Sequence, residues 1–119
     1  MSEIRANTIS DAAGTGPVTL TKQSAAKAWD RYNQLSPSIS QSFNISSVTD
    51  SGTGDAYHNY TNALSGTDFP AVATNSFSAT DFGLYVHQNA AGYCRTLTYN
   101  NSSVSVDRHM NVVQMGDLA

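Results

Sequence analysis

A chain of 119 residues has room for one hydrophobic core and not for a second. Only 13% of the residues are charged and the net charge is −3, with six basic residues spread from Arg5 to Arg108, so no cationic stripe can neutralise a run of phosphates and nucleic acid is not an expected partner. No apolar run approaches the roughly 18 residues of a membrane-spanning helix, and the opening MSEIRANTIS lacks the basic and apolar regions of a secretory leader; a soluble protein made in the cytosol is expected.

In chain order, residues 1–23 contain few large apolar groups, a GTGP break and then the alternating VTLT. This predicts an extended N-terminal arm with one short strand from Val18 to Thr21, unable to form a core of its own. Ile4, Ile9, Val18 and Leu20 are its apolar positions, and so the candidates for attachment to a partner surface. Residues 24–119 are read as the folded domain. At KQSAAKAW, Ser24 could cap one helical turn, but Trp29 and Tyr32 do not keep a helical spacing, so a strand or short turn is expected.

From Ser38 the period is two. Ile39, Phe43 and Ile45 are expected on one face, with Ser40, Ser42, Asn44 and Ser46 on the other. Ser46 and Ser47 break the phase before Val48, as one extra residue in a β-bulge does. DSGTGD, residues 50–55, then reads as a hairpin corner in which Gly52 and Gly54 take positive φ and Asp50 and Asp55 fasten the turn. A calcium loop is the weaker reading, because the alternating acidic spacing and the closing glutamate are missing. Beyond the corner, Ala56, His58 and Tyr60 alternate with Tyr57, Asn59 and Thr61; each set carries a tyrosine, so either could face inward.

Short runs follow at regular intervals: FPAVATNSF, FGLYVHQ, GYCRTLTYN, SVSVD and HMNVVQM, separated by turn residues. Many short strands at this spacing predict an all-β protein, an antiparallel β-sandwich of jelly-roll-like form carrying the extended arm. Pro70 must then lie at a strand start or edge.

The chain offers little to catalysis. The lone Cys94 has no partner for an internal disulfide and reads as a buried small hydrophobe. His58, His87 and His109 are far apart and form no zinc spacing, and Asp11, Asp50, Asp55, Asp68, Asp81 and Asp107 fall in predicted turns. No nucleophile elbow, phosphate loop or dinucleotide fingerprint occurs. We therefore expect no enzyme, no cofactor and no metal site. Tyrosines set among amides and hydroxyls suit a contact surface, since a rigid aromatic ring supplies area at small entropic cost. Tyr57, Asn59, Tyr85 and Tyr93 are the candidate contact residues.

Three stretches, TISDAAGTGPVTLTKQSAAKAW, SFNISSVTDSGTGDAYHNYTNAL and the closing VVQMGDLA, resemble short tail-fibre-like virion proteins of tailed bacteriophages, especially marine ones. The resemblance covers roughly the first 64 residues and the last eight, and is most specific around Phe43, Ser46, Ser47, Thr49, Asp50, Gly52, Thr53, Gly54 and Asp55. The chain departs from the family in DRYNQLSPSISQ and in having His58 where an apolar residue is usual, and residues 69–101 match weakly. The resemblance implies a virion structural component, assembled in the host cytoplasm as a homo-oligomer, most often a trimer. Its arm would meet other virion proteins and its β-domain would face outward towards a host-surface glycan or protein. Two alternatives stay open: a capsid decoration protein, since the chain lacks the long shaft of a full fibre, and a carbohydrate-binding or hydrolysing module.

Overall fold

The computed structural model describes residues 25–75 and 83–119. The arm, with Ile4, Ile9, Val18 and Leu20 and the strand expected at Val18 to Thr21, lies outside the described residues. Within them the chain forms eight strands, β1 (Ala28–Asn33), β2 (Ser38–Phe43), β3 (Ile45–Gly52), β4 (Asp55–Tyr60), β5 (Ala71–Asn75), β6 (Gly83–Asn89), β7 (Tyr93–Tyr99) and β8 (His109–Gln114), and no helix. All pairings are antiparallel, in a first sheet ordered β2-β1-β8-β5 and a second ordered β3-β4-β7-β6. The two sheets share their buried side chains, as in a sandwich.

Period-two burial explains this arrangement. β1 turns Ala28, Asp30 and Tyr32 inward, β4 turns in Ala56, His58 and Tyr60, and β7 turns in Cys94, Thr96 and Thr98. Ala28, Tyr60, Leu64, Cys94 and Val112 form one apolar cluster, and Tyr32, Ala56 and Met110 a second. Six buried polar side chains accompany eight buried hydrophobic ones among the described residues. With so polar an interior, specific hydrogen bonds must help to fix how the sheets sit on each other.

The segment 28–33, expected as a strand or short turn, is a strand at the centre of the first sheet, held between β2 and β8. The expected bulge is present: Ile45 pairs with Tyr60 and Ser47 with Asn59, leaving Ser46 unpaired. Pro70 immediately precedes β5, an edge strand, where its missing N–H costs the ladder nothing. SVSVD, expected as a strand, is a loop with a single bridge at Ser105. Here Asn100 Oδ1 accepts from the backbone N–H groups of Ser102 and Val104, a side-chain turn that competes with ladder formation.

One expectation is overturned at β2. Ile39 and Phe43 do not share a face, because the β1–β2 register shifts by one residue between Gln41 and Ile39, and Ile45 belongs to the second sheet, paired with Tyr60. Phe43 pairs with Trp29 on the solvent side, whereas Ile39 pairs with the inward Tyr32. A one-residue slip exchanges faces along the rest of a strand. Every residue of β2 is exposed, so this edge reaches beyond the cover of the second sheet.

Candidate functional site

The four contact candidates lie on one surface, the solvent face of the second sheet. Because Ala56, His58 and Tyr60 point inward, Tyr57 and Asn59 of β4 point outward. The same alternation turns Tyr93, Arg95, Leu97 and Tyr99 of β7 outward, and register places Tyr57 beside Arg95, Asn59 beside Tyr93 and Tyr85 of β6 beside Leu97. Sequence reasoning missed Arg95 and Tyr99. The signal was present in the period-two spacing of residues 93, 95, 97 and 99, which becomes informative once the buried partners Cys94, Thr96 and Thr98 are known.

The face is internally braced. The Arg95 guanidinium grips Asp55 with two hydrogen bonds, Nε to Oδ1 at 2.9 Å and Nη2 to Oδ2 at 2.6 Å, the fork geometry that favours arginine over lysine. The hydrogen bond to Asp55 holds the Arg95 pKa above its usual value, so the cation persists at every physiological pH. Its carbon Cζ stands 5.1 Å from the centre of the Tyr57 ring, which in turn meets Tyr93 edge-to-face at 5.2 Å. On the far side Tyr85 stacks on Tyr99 at 5.9 Å, and their side-chain hydrogen bond raises the Tyr85 phenol pKa. Asn59 Nδ2 donates to Ser47 Oγ at 3.1 Å and Thr49 Oγ1 at 3.0 Å. The central charges are thus paired, leaving a band of phenol rings and amides.

Asp55 is therefore not the turn fastener expected of it, since both its carboxylate oxygens serve Arg95. Asp50 does fasten the turn, its Oδ1 accepting from Gly52 N–H at 3.1 Å. The corner is also held from elsewhere: Gly54 N–H donates to Asp107 Oδ1 at 2.7 Å, and Gln34 Nε2 donates to the Gly52 carbonyl at 3.0 Å. Gly54 has φ +69°, and a side chain there would press on the Thr98 carbonyl oxygen at 2.5 Å. The residues that make this stretch conspicuous in sequence thus build a corner. No group of three or more potential metal-ligating side chains gathers among the described residues.

A second polar constellation lies between the sheets. His58 Nδ1 is 2.6 Å from Asp30 Oδ2, and His58 Nε2 is 3.0 Å from Thr96 Oγ1. The order acid, imidazole, hydroxyl is that of a nucleophilic triad, but all three residues are buried, with Tyr32 edge-on to the imidazole and Met110 Sδ 3.3 Å from the threonine oxygen. No substrate can reach Thr96 here; what the arrangement does is join the first sheet to the second. It also settles the inward face of β4, which two tyrosine-bearing sets of residues had left open.

No protein-family profile matches the chain, and neither a curated protein sequence nor a solved structure is significantly similar to it.

Proposed function

We propose that this chain is a structural component of a tailed-bacteriophage virion: a non-enzymatic, tail-fibre-type β-module that assembles as a homo-oligomer, in the trimeric form the resemblance implies, and presents the tyrosine face of its second sheet outward. The observation that carries the contact role is convergence. Tyr57, Asn59, Tyr85 and Tyr93, chosen by residue type from separate segments, share one braced face. The virion assignment is supported by the sequence resemblance of residues 1–64 and 112–119. In this reading residues 1–23 attach the module to other virion proteins, and neither nucleic acid nor lipid is a partner. Support for a jelly-roll-like form comes from the return of β8 beside β1 and of β7 beside β4; the hairpins β1–β2, β3–β4 and β6–β7, each within one sheet, speak against it.

Immunogold labelling of particles of the virus that encodes the chain tests the proposal. Label at the tail is expected, label on the head supports a capsid decoration protein instead, and unlabelled particles overturn both. A carbohydrate-binding reading is favoured by one observation, the pairing of Arg95 with Asp55, which leaves the centre of the face uncharged and rich in aromatic and amide groups. A glycan array probed with the parent chain and with Tyr57→Ala tests it; binding that survives the substitution, or no binding at all, removes this role from the face.

A further inference from the structure

The solvent face of the first sheet differs in kind from the tyrosine face. Register places Phe43 of β2, Trp29 of β1, Val113 of β8 and Val72 of β5 side by side, an apolar row that crosses all four strands. Phe43 is 52% exposed, Val72 61% and Val113 41%, with Trp29 half-buried between them. Isolated apolar side chains on a surface need no explanation, but a contiguous row marks an interaction site. Beside it runs a polar row in the same strand order, Gln41, Arg31, Asn111 and Thr74, in which Arg31 is the one charged side chain.

We propose that this face is a two-fold interface between two copies of the chain, with the axis parallel to the strands and passing between β1 and β8, a contact separate from the three-fold one of the trimeric reading. The order of sizes in the row favours this two-fold. It runs large, large, small, small, so a two-fold through its centre sets Trp29 against the partner's Val113 and Phe43 against the partner's Val72. Bulky side chains then interleave with small ones, as facing layers of a packed core do. The same operation sets Arg31 against the partner's Asn111 and Gln41 against the partner's Thr74, so no like charges meet. An isologous contact needs this self-complementarity, and face-to-face packing of sheets supplies its geometry. Four strands at about 4.8 Å spacing and six residues at about 3.3 Å rise give a footprint of roughly 400 Å2 per copy in projection, which belongs with the weak, transient contacts below about 1,200 Å2 in total.

Trp29 is the only tryptophan in the chain, so it reports on this face alone. Full-length protein is followed by sedimentation velocity and tryptophan emission from about 1 to 500 μM, a range spanning micromolar dissociation constants. Dimer formation accompanied by a shift of emission to shorter wavelength is expected. Val113→Lys, at an exposed position, is expected to weaken the dimer by roughly 30-fold or more with an unchanged far-UV circular dichroism spectrum. The orientation is tested by Gln41 and Thr74, which lie on opposite edge strands of one chain and meet only across the axis. The double variant Gln41→Lys/Thr74→Glu should bind about fivefold tighter than the parent, and Gln41→Lys/Thr74→Lys about fivefold weaker. Equal affinity of the two double variants overturns the two-fold, as does a chain that stays monomeric throughout. An oligomer whose emission does not change with concentration and which tolerates Val113→Lys also overturns it, yet leaves the homo-oligomeric virion reading standing on another surface.

Discussion

Gly54 and Gly52 occupy the same corner under different constraints. At both the backbone has positive φ, +69° and +142°. A methyl group at Gly52 meets nothing within 4 Å, whereas at Gly54 it meets three backbone atoms of Thr98 and Val106. Gly54→Ala is therefore expected to destabilise the fold by about 3 kcal/mol or more and Gly52→Ala by about 1 kcal/mol, read as the difference in urea midpoints. His58 and Asp30 make a different pair of residues. Removing one partner of a buried, hydrogen-bonded acid–imidazole contact strands the other, so His58→Leu should cost about 3–5 kcal/mol, while the double variant with Asp30→Leu should recover most of that loss. Additive losses in the double-mutant cycle would show that the 2.6 Å contact contributes no coupling. His58 also illustrates the limit of sequence: alternation divided β4 into two sets, but choosing between them needed the positions of Asp30 and Thr96, 28 and 38 residues away.

At the scale of elements, the segment 38–52 is nearly one continuous strand that changes sheets at Asn44. Asn44 takes φ +55°, a conformation asparagine tolerates better than most residues. Its amide nitrogen donates to the carbonyls of Lys27 and Asn62 at 2.9 and 3.0 Å, and its oxygen accepts from Asn62 N–H at 2.7 Å. Asn44→Gly keeps the conformation and loses the bonds; Asn44→Ala loses both. Thermal unfolding should therefore rank parent, Gly variant, Ala variant in falling stability, with about 1 kcal/mol between the two variants. A Gly variant no more stable than the Ala variant would remove backbone strain from this account. Local chemistry made much of these elements legible. The bulge at Ser46, the corner at Gly54 and the edge position of Pro70 each follow from a few adjacent residues. The face of Phe43 was not legible, because it depends on a register shift against β1 that no residue in β2 announces. The switch of sheets at Asn44 was hidden for a similar reason: its bonds reach residues 17 and 18 positions away.

For the whole molecule, alkaline pH is a probe of the interior. Burial, and then the Asp30 charge, push the Cys94 thiol up to about 12 from 9.0, and burial raises the Tyr60 phenol as well. With the folded pKa above the unfolded one, the folded chain holds protons that the unfolded chain releases. The thiol's contribution is therefore complete below pH 9 and declines as pH rises towards 12, by at most about 1.4 kcal/mol per pH unit. Cys94→Ala should flatten the pH dependence of unfolding free energy between pH 9 and 10 and lessen it above, where the raised phenols of Tyr60 and Tyr32 still contribute; an unchanged slope would contradict thiol burial. The two outer faces divide the labour of the proposed assembly, one braced and polar for a target, the other apolar for a second copy. The polar tie between the sheets then acquires a mechanical meaning. Asp30, His58 and Thr96 act as a dowel between two boards: apolar layers can slide past one another while keeping much of their contact, but a 2.6 Å charge-assisted bond with its continuation to Thr96 cannot be displaced without breaking. A module pulled by one sheet and anchored by the other would load that dowel together with the Tyr60–Gln114 and Gln34–Gly52 hydrogen bonds, so resistance to shear is concentrated in a few polar side chains.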